Sequence, residues 1–179
     1  MKKENIPNLL TLIRFILIPF IYASVLSKHY LTGLIIFTIS ALTDVLDGYI
    51  ARKYNLVTDF GKMMDAISDK LLTNSVLIIL ACSGKVSTIV AVVIIVRDIV
   101  VDSIKMVIGN KGAAVAAIGI AKAKTATLMV GIVLTLFYNL PFELFNLRVS
   151  DFLLAVAAIL SVISACKYYI MAKPYLKDR

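Results

Sequence analysis

The chain alternates between long apolar runs and short polar segments, and this pattern predicts six membrane-spanning helices. Each run is close to the ~20 residues that an α-helix needs to cross the hydrocarbon core of a bilayer. The runs occupy residues 9–27, 31–52, 60–82, 86–108, 121–140 and 152–171. Neither a linker nor an internal repeat interrupts them. We therefore expect an all-α, polytopic membrane protein that forms a single domain over residues 1–179.

Composition supports the membrane interpretation. Of the 179 residues, 60% are hydrophobic and only 17% are charged, whereas soluble domains are about half apolar and about a quarter charged. A net charge of +8 would suggest a nucleic-acid partner in a soluble protein. Here the basic residues lie between apolar runs without interleaved aromatic residues, so we expect no nucleic acid and a lipid bilayer as the surroundings.

The distribution of basic residues predicts the orientation in the membrane. Cytoplasmic loops carry an excess of Lys and Arg. The N-terminus, the second and fourth loops and the C-terminal tail carry most of them, while the other side receives only Lys28, Lys85 and Arg148. Because the number of spans is even, both termini are predicted to face the cytoplasm, with the protein in the cytoplasmic membrane.

Four aspartates lie inside the predicted second and third spans. Asp44 and Asp47 are spaced i, i+3, and Asp65 and Asp69 are spaced i, i+4, so each pair shares a helical face. At 1.5 Å per residue, Asp44 and Asp69 lie roughly 13 Å inside the membrane and the other two roughly 8 Å. If the two helices are antiparallel neighbours, the four carboxylates meet in two layers. Ionisable residues at membrane depth indicate function.

Four carboxylates this close cannot all stay ionised unless cations join them. Two divalent cations would balance the four charges, and oxygen ligands favour Mg²⁺ or Mn²⁺. A pair of such ions about 4 Å apart suits displacement at phosphorus. From spacing alone, however, a small transporter that uses the aspartates for protons or cations stays an alternative to an enzyme.

The residues around these aspartates resemble the signature of the CDP-alcohol phosphotransferase family, D-x-x-D-G-x-x-A-R, eight residues, then G-x-x-x-D-x-x-x-D. Every fixed position is present at the required spacing, namely Asp44, Asp47, Gly48, Ala51, Arg52, Gly61, Asp65 and Asp69. The resemblance implies a membrane enzyme that transfers a phosphatidyl group from CDP-diacylglycerol to an alcohol and releases CMP. Since family members are commonly homodimers, it also implies a homodimer.

The resemblance also implies roles for individual residues. Asp44, Asp47, Asp65 and Asp69 correspond to the ligands of two divalent cations, and Asp69 also to the general base that deprotonates the acceptor. The positions that correspond to the CDP-diacylglycerol site are Asn8, Thr11, Gly48, Ala51, Arg52, Thr58 and Gly61.

The acceptor is indicated by two further segments. Residues 5–8, Asn-Ile-Pro-Asn, and residues 52–55, Arg-Lys-Tyr-Asn, resemble bacterial members that use sn-glycerol 3-phosphate and make phosphatidylglycerol phosphate. Departures occur where the family usually has Pro at residue 66, Glu at 98, Arg at 105 and Gly at 121; here these are Ala, Asp, Lys and Ala. The same chemistry with inositol phosphate or serine is therefore kept as an alternative.

An acceptor that carries its own phosphate needs basic side chains to bind that phosphate. These side chains should lie near the metal ions without being part of the metal site. We predict that this phosphate is bound by Arg97, Lys105, Lys122 and Lys124. The alternative for the lysines is a topological role, as positive-inside anchors or as side chains that reach the membrane surface. Asp98 and Asp102 are interpreted as partners that hold these cations in place. Arg14 is interpreted either as a contact to a nucleotide or lipid phosphate or as a contact within the helix bundle.

Overall fold

The computed structural model describes residues 6–53, 59–112, 118–140, 142 and 147–176. The elements of this part of the chain are six helices, which confirms the predicted all-α class and the number of helices. They are α1 (Ile6–Leu26), α2 (Tyr30–Lys53), α3 (Asp59–Cys82), α4 (Thr88–Asn110), α5 (Gly119–Leu136) and α6 (Val149–Leu176).

The end of α5 differs from its predicted position. The apolar run continues to residue 140, but the helix ends at Leu136. Tyr138 and Asn139 both take a left-handed backbone with φ of 56°. The amide group of Asn139 donates to the carbonyl of Leu147 and accepts from the N–H of Ser150 at 3.0 Å. A turn with its own polar contacts therefore lies inside the apolar run, and hydropathy alone could not mark the boundary.

The chain divides into two compact units, which are described separately. The first comprises residues 1–85 with 136–138, and the second comprises residues 86–135 with 139–179. The prediction of a single domain over residues 1–179 is not tested by this division and stays a prediction.

In the first unit, α1 is the helix that the other two share. It packs along both α2 and α3, whereas α2 and α3 contact each other over a much shorter stretch of the described residues. Fully buried apolar side chains fill the unit, among them Ile21, Phe37, Leu72 and Leu77. α1 therefore determines where α2 and α3 lie within the unit.

α1 and α3 end with the same capping arrangement. After α1, the N–H of His29 donates to the carbonyl of Ser24 at 2.8 Å, and the left-handed residue is Lys28, with φ of 60°. After α3, the N–H of Lys85 donates to the carbonyl of Leu80 at 2.9 Å, and the left-handed residue is Gly84, with φ of 68°. This pattern is the Schellman motif, in which glycine is the usual left-handed residue.

In the second unit, α4 packs along α6. α5 approaches α6 closely at Gly131, where an added Cβ would lie 2.8 Å from the Leu154 side chain. Close approach at a small residue is common between membrane helices, because dispersion contacts there replace the hydrophobic driving force.

The outer surface of the helices is apolar. Large side chains such as Phe20, Ile89 and Phe152 are more than half exposed, which is typical of a protein that is surrounded by lipid. Within the described residues, Gly119–Leu136 and Val149–Tyr175 are long and apolar enough to cross a bilayer, and Ile13–Leu26 and Tyr30–Thr43 are shorter apolar segments. The crossing of the bilayer by all six helices stays a prediction.

Candidate functional site

The four aspartates of the motif lie on two helices of the first unit. Asp44 and Asp47 lie in α2, and Asp65 and Asp69 lie in α3. Both segments are helical, as the spacing of i, i+3 in the first pair and i, i+4 in the second pair requires if each pair is to share a helical face.

Most side chains of the predicted site lie outside the part of the chain that the structure describes. Their arrangement around a metal ion or a nucleotide therefore stays a prediction. Among the described side chains, no cluster of three or more His, Cys, Asp or Glu could hold a metal ion. The predicted positions outside the description are Asn8, Thr11, Asp44, Asp47, Gly48, Ala51, Arg52, Thr58, Gly61 and Asp65.

Asp69 is the motif residue whose surroundings are described. It is half-buried on α3, and its main-chain carbonyl accepts a hydrogen bond from Thr73 Oγ1 at 3.0 Å. The preceding residue, Ser68, is buried and its hydroxyl accepts a hydrogen bond from Arg14 Nη1 at 2.6 Å. The turn that carries Asp69 is thus connected to α1.

A buried ion cluster joins α4 and α5 in the second unit. Lys124 Nζ donates to both carboxylate oxygens of Asp98, at 2.9 and 2.8 Å. Arg97 Nη1 donates to the same carboxylate at 2.7 Å. Asp98 is 5% exposed and Lys124 is 4% exposed, so little water screens these charges. The interpretation of Asp98 as a partner that holds cations in place is confirmed for Arg97 and Lys124, and the same interpretation of Asp102 stays a prediction.

Two serines of α6 complete the surroundings of Arg97. Its Nε donates to the main-chain carbonyl of Ser161 at 3.0 Å, and its Nη2 donates to the hydroxyl of Ser164. Neither serine was predicted from the sequence as a contact of Arg97. Their spacing of i, i+3 within an apolar helix was the available signal, since small polar residues on one face of a membrane helix often hydrogen-bond to a neighbouring helix.

Arg97, Asp98 and Lys124 place three charged groups together in largely buried surroundings. Burying ions costs several kcal/mol each unless geometry and hydrogen bonds compensate. Here one carboxylate receives three short contacts from two cations, and the remaining guanidinium hydrogen bonds go to α6. The arrangement therefore holds two cationic side chains in fixed positions, where they could contact an anionic ligand.

The two other predicted acceptor-binding cations lie in different surroundings. Lys105 lies about 12 Å further along α4 than Arg97, with its Nζ 4.9 Å from the centroid of the Tyr168 ring. The Tyr168 hydroxyl accepts a hydrogen bond from the N–H of Ile118 at 3.3 Å. Lys122 is exposed on α5. The structure thus brings Arg97 and Lys124 together through Asp98, and it does not bring Lys105 or Lys122 into the same contacts.

Comparisons with known proteins match both units of the chain. The family model described as CDP-alcohol phosphatidyltransferase matches residues 4–163. Among similar proteins is the CDP-diacylglycerol--glycerol-3-phosphate 3-phosphatidyltransferase of Bacillus subtilis (strain 168), which is 37% identical over 92% of this chain and 93% of its own length. Proteins with the same name from Rickettsia bellii and Haemophilus influenzae are 35% and 34% identical, over 96% and 98% of this chain and 97% of each relative.

Proposed function

Since the chain belongs to the CDP-alcohol phosphatidyltransferase family, we propose that it transfers the phosphatidyl group of CDP-diacylglycerol to sn-glycerol 3-phosphate. The products are phosphatidylglycerol phosphate and CMP. The observation that carries this proposal is the similarity, at 37% identity over 92% of the chain, to a relative whose name states that reaction. The complete aspartate motif supports the same reaction class.

The donor set of the motif fits two divalent cations. Asp44, Asp47, Asp65 and Asp69 supply only carboxylate oxygens, which suit Mg²⁺ or Mn²⁺. The two helices that carry them belong to one unit and are held by the same third helix, α1. When bound, such ions would neutralise charge on the pyrophosphate of the donor and on the departing CMP.

Asp69 is proposed as the general base of the reaction. It takes the proton of the acceptor hydroxyl while that oxygen attacks the β-phosphorus of CDP-diacylglycerol, and the bond to CMP breaks. The half-buried position of Asp69 supports this role, because a base has to reach the acceptor while water is largely excluded. The CDP-diacylglycerol itself is proposed to bind at Asn8, Thr11, Gly48, Ala51, Arg52, Thr58 and Gly61.

The phosphate of the acceptor is proposed to bind to the cations of the second unit. Arg97 and Lys124 are the stronger candidates, because Asp98 holds both in place. Lys105 and Lys122 complete the proposed set. Preorganised cations need less rearrangement when an anion binds, and this supports affinity for a phosphate over a neutral acceptor.

In the cell, the protein is proposed to be a homodimer of six-span subunits in the cytoplasmic membrane. Both termini and the active site would face the cytoplasm. The apolar exterior of the helices and the excess of basic residues in alternate loops support this topology.

The reaction can be tested with the purified protein in detergent, CDP-diacylglycerol, Mg²⁺ and a panel of acceptors. We expect CMP release with glycerol 3-phosphate and little with inositol phosphate or serine. Asp69→Asn, which removes a base and a metal ligand, should nearly abolish turnover while the variant still folds. Release of CMP with serine or inositol phosphate, but not with glycerol 3-phosphate, would overturn the assignment of the acceptor.

The remote alternative, a small transporter, predicts a different outcome. Purified protein in liposomes would then move an ion or solute without CDP-diacylglycerol, and chelation of Mg²⁺ would leave that movement unchanged. The enzyme proposal predicts loss of CMP release in chelator.

A further inference from the structure

Arg14 is the single charged residue in the sequence of α1, and its side chain is completely buried within the first unit. A buried guanidinium is costly to keep in an apolar helix. Its hydrogen bond to the hydroxyl of Ser68, at 2.6 Å, joins α1 to α3. Ser68 is itself only 1% exposed. The contact is therefore a charge-assisted hydrogen bond in surroundings that contain little water, where such bonds are strong.

The position of this contact along α3 is informative. The buried apolar residues of α3 in the described part of the chain all follow Ser68 and include Leu72, Val76 and Leu80. Ser68, Leu72 and Val76 are spaced i, i+4, i+8 and so share one face. The hydrogen bond from Arg14 thus extends the packed face of α3 by one turn, to the turn that contains Asp69.

We propose that Arg14 is a positioning residue for Asp69, acting through Ser68. The proposal rests on the function proposed above, in which Asp69 is the base. Ser68 directly precedes Asp69, and Thr73 holds the carbonyl of Asp69 from the following turn. The contact with Arg14 restrains the rotation of α3 about its axis at this turn, and the bond from Thr73 lies within α3 and turns with it.

The size of the effect follows from helix geometry. A side chain extends about 5–6 Å from the helix axis, so a rotation of about 10° displaces its end by about 1 Å. A misplacement of 1 Å can reduce turnover by about 100-fold. Loss of the contact at Ser68 should therefore reduce kcat, because the base moves away from the acceptor hydroxyl, while the substrates still bind.

The test compares five single variants, and the double variant with Arg14→Gln and Ser68→Ala, with the wild-type enzyme. Arg14→Gln removes the charge, and Arg14→Lys retains it. Ser68→Ala removes the serine hydroxyl that accepts the hydrogen bond from Arg14, and Ser68→Thr retains a hydroxyl there. Ile21→Ala is the matched control, because Ile21 is fully buried two helical turns further along the same face of α1. For each we would measure kcat, the KM values of both substrates and thermal stability in detergent.

We expect Arg14→Gln to lower kcat by about 10- to 100-fold with KM values within about threefold of wild type. Ser68→Ala should lower kcat in the same way, and the double variant should be no worse than the more damaging single one, since both act through one contact. Arg14→Lys and Ser68→Thr should restore part of the lost kcat. Ile21→Ala should lower thermal stability and keep kcat near that of wild type.

Three outcomes would overturn the proposal: wild-type kcat in folded Ser68→Ala, an equal loss of kcat in Ile21→Ala, or additive losses in the double variant. If Arg14→Gln does not fold, Ser68→Ala and Ser68→Thr decide the matter. Failure of the proposed function is distinguishable, because the wild-type protein would then release no CMP with glycerol 3-phosphate.

Discussion

The carboxylate of Asp98 determines the surroundings of two cations at the scale of single residues. Arg97 and Lys124 both donate to it, and all three side chains are largely removed from solvent. Breaking a buried ion pair on one side leaves a buried charge without its partner, which is more costly than never forming the pair. Asp98 should therefore contribute to the stability of the protein as well as to binding of the acceptor.

We expect Asp98→Asn to destabilise the protein by about 3–5 kcal/mol and to raise the KM of glycerol 3-phosphate more than that of CDP-diacylglycerol. Thermal unfolding in detergent and steady-state kinetics would measure both effects. Asp151→Asn is the matched control, because Asp151 forms an exposed ion pair with Arg148 at 3.8 Å and such pairs contribute little. Equal stability of the two variants would contradict the structural role of Asp98.

The left-handed residue after α1 gives a second prediction at this scale. Lys28 takes φ of 60°, a conformation that costs an L-residue roughly 1–2 kcal/mol. Lys28→Gly should therefore raise thermal stability, since the Schellman bonds of the main chain are retained. Gly84→Ala, at the equivalent position after α3, should lower it. A loss of stability in Lys28→Gly would show that the lysine side chain contributes more than the strain costs.

At the scale of elements, α5 and α6 are held at a short distance by Gly131. An added methyl group would lie 2.8 Å from Leu154, and overpacking of this kind typically costs about 1–3 kcal/mol. We expect Gly131→Ala to lower the unfolding temperature. Gly109→Ala is the control, because a Cβ on Gly109 in α4 would have no neighbouring atom within 4 Å. Alanine also favours a helix more than glycine does. If both variants unfold at the same temperature, the approach of α5 to α6 is not limited by this glycine.

The elements also show how far apolar pattern predicts helices. The six helices were predictable because each apolar run is long, and the second and third runs carry the motif at helical spacing. The end of α5 was not predictable, because Tyr138 and Asn139 turn the chain inside an apolar run. A turn depends on backbone conformation and on the amide contacts of Asn139 with residues near the start of α6, and hydropathy does not report either.

At the scale of the whole molecule, the proposed six-span topology gives a test that does not depend on activity. In a background with Cys82→Ala and Cys166→Ala, single cysteines would be introduced as Lys85→Cys and Lys173→Cys. Both positions are exposed and lie on opposite sides in the predicted topology. A membrane-impermeant thiol reagent applied to intact cells should label the first variant only, and the second should be labelled after permeabilisation. The reverse pattern would place the termini outside the cytoplasm.

The sequence by itself determined the helical class, the helix number and the aspartate motif, because these depend on residues that are close together in the chain. Only the tertiary structure decided that Asp98 holds Lys124, which is 26 residues away, and that Arg14 donates to Ser68 across 54 residues. The physical reason is that a buried charge has to find its partner wherever packing brings one. Helix packing, and not local periodicity, determines which distant residue that is.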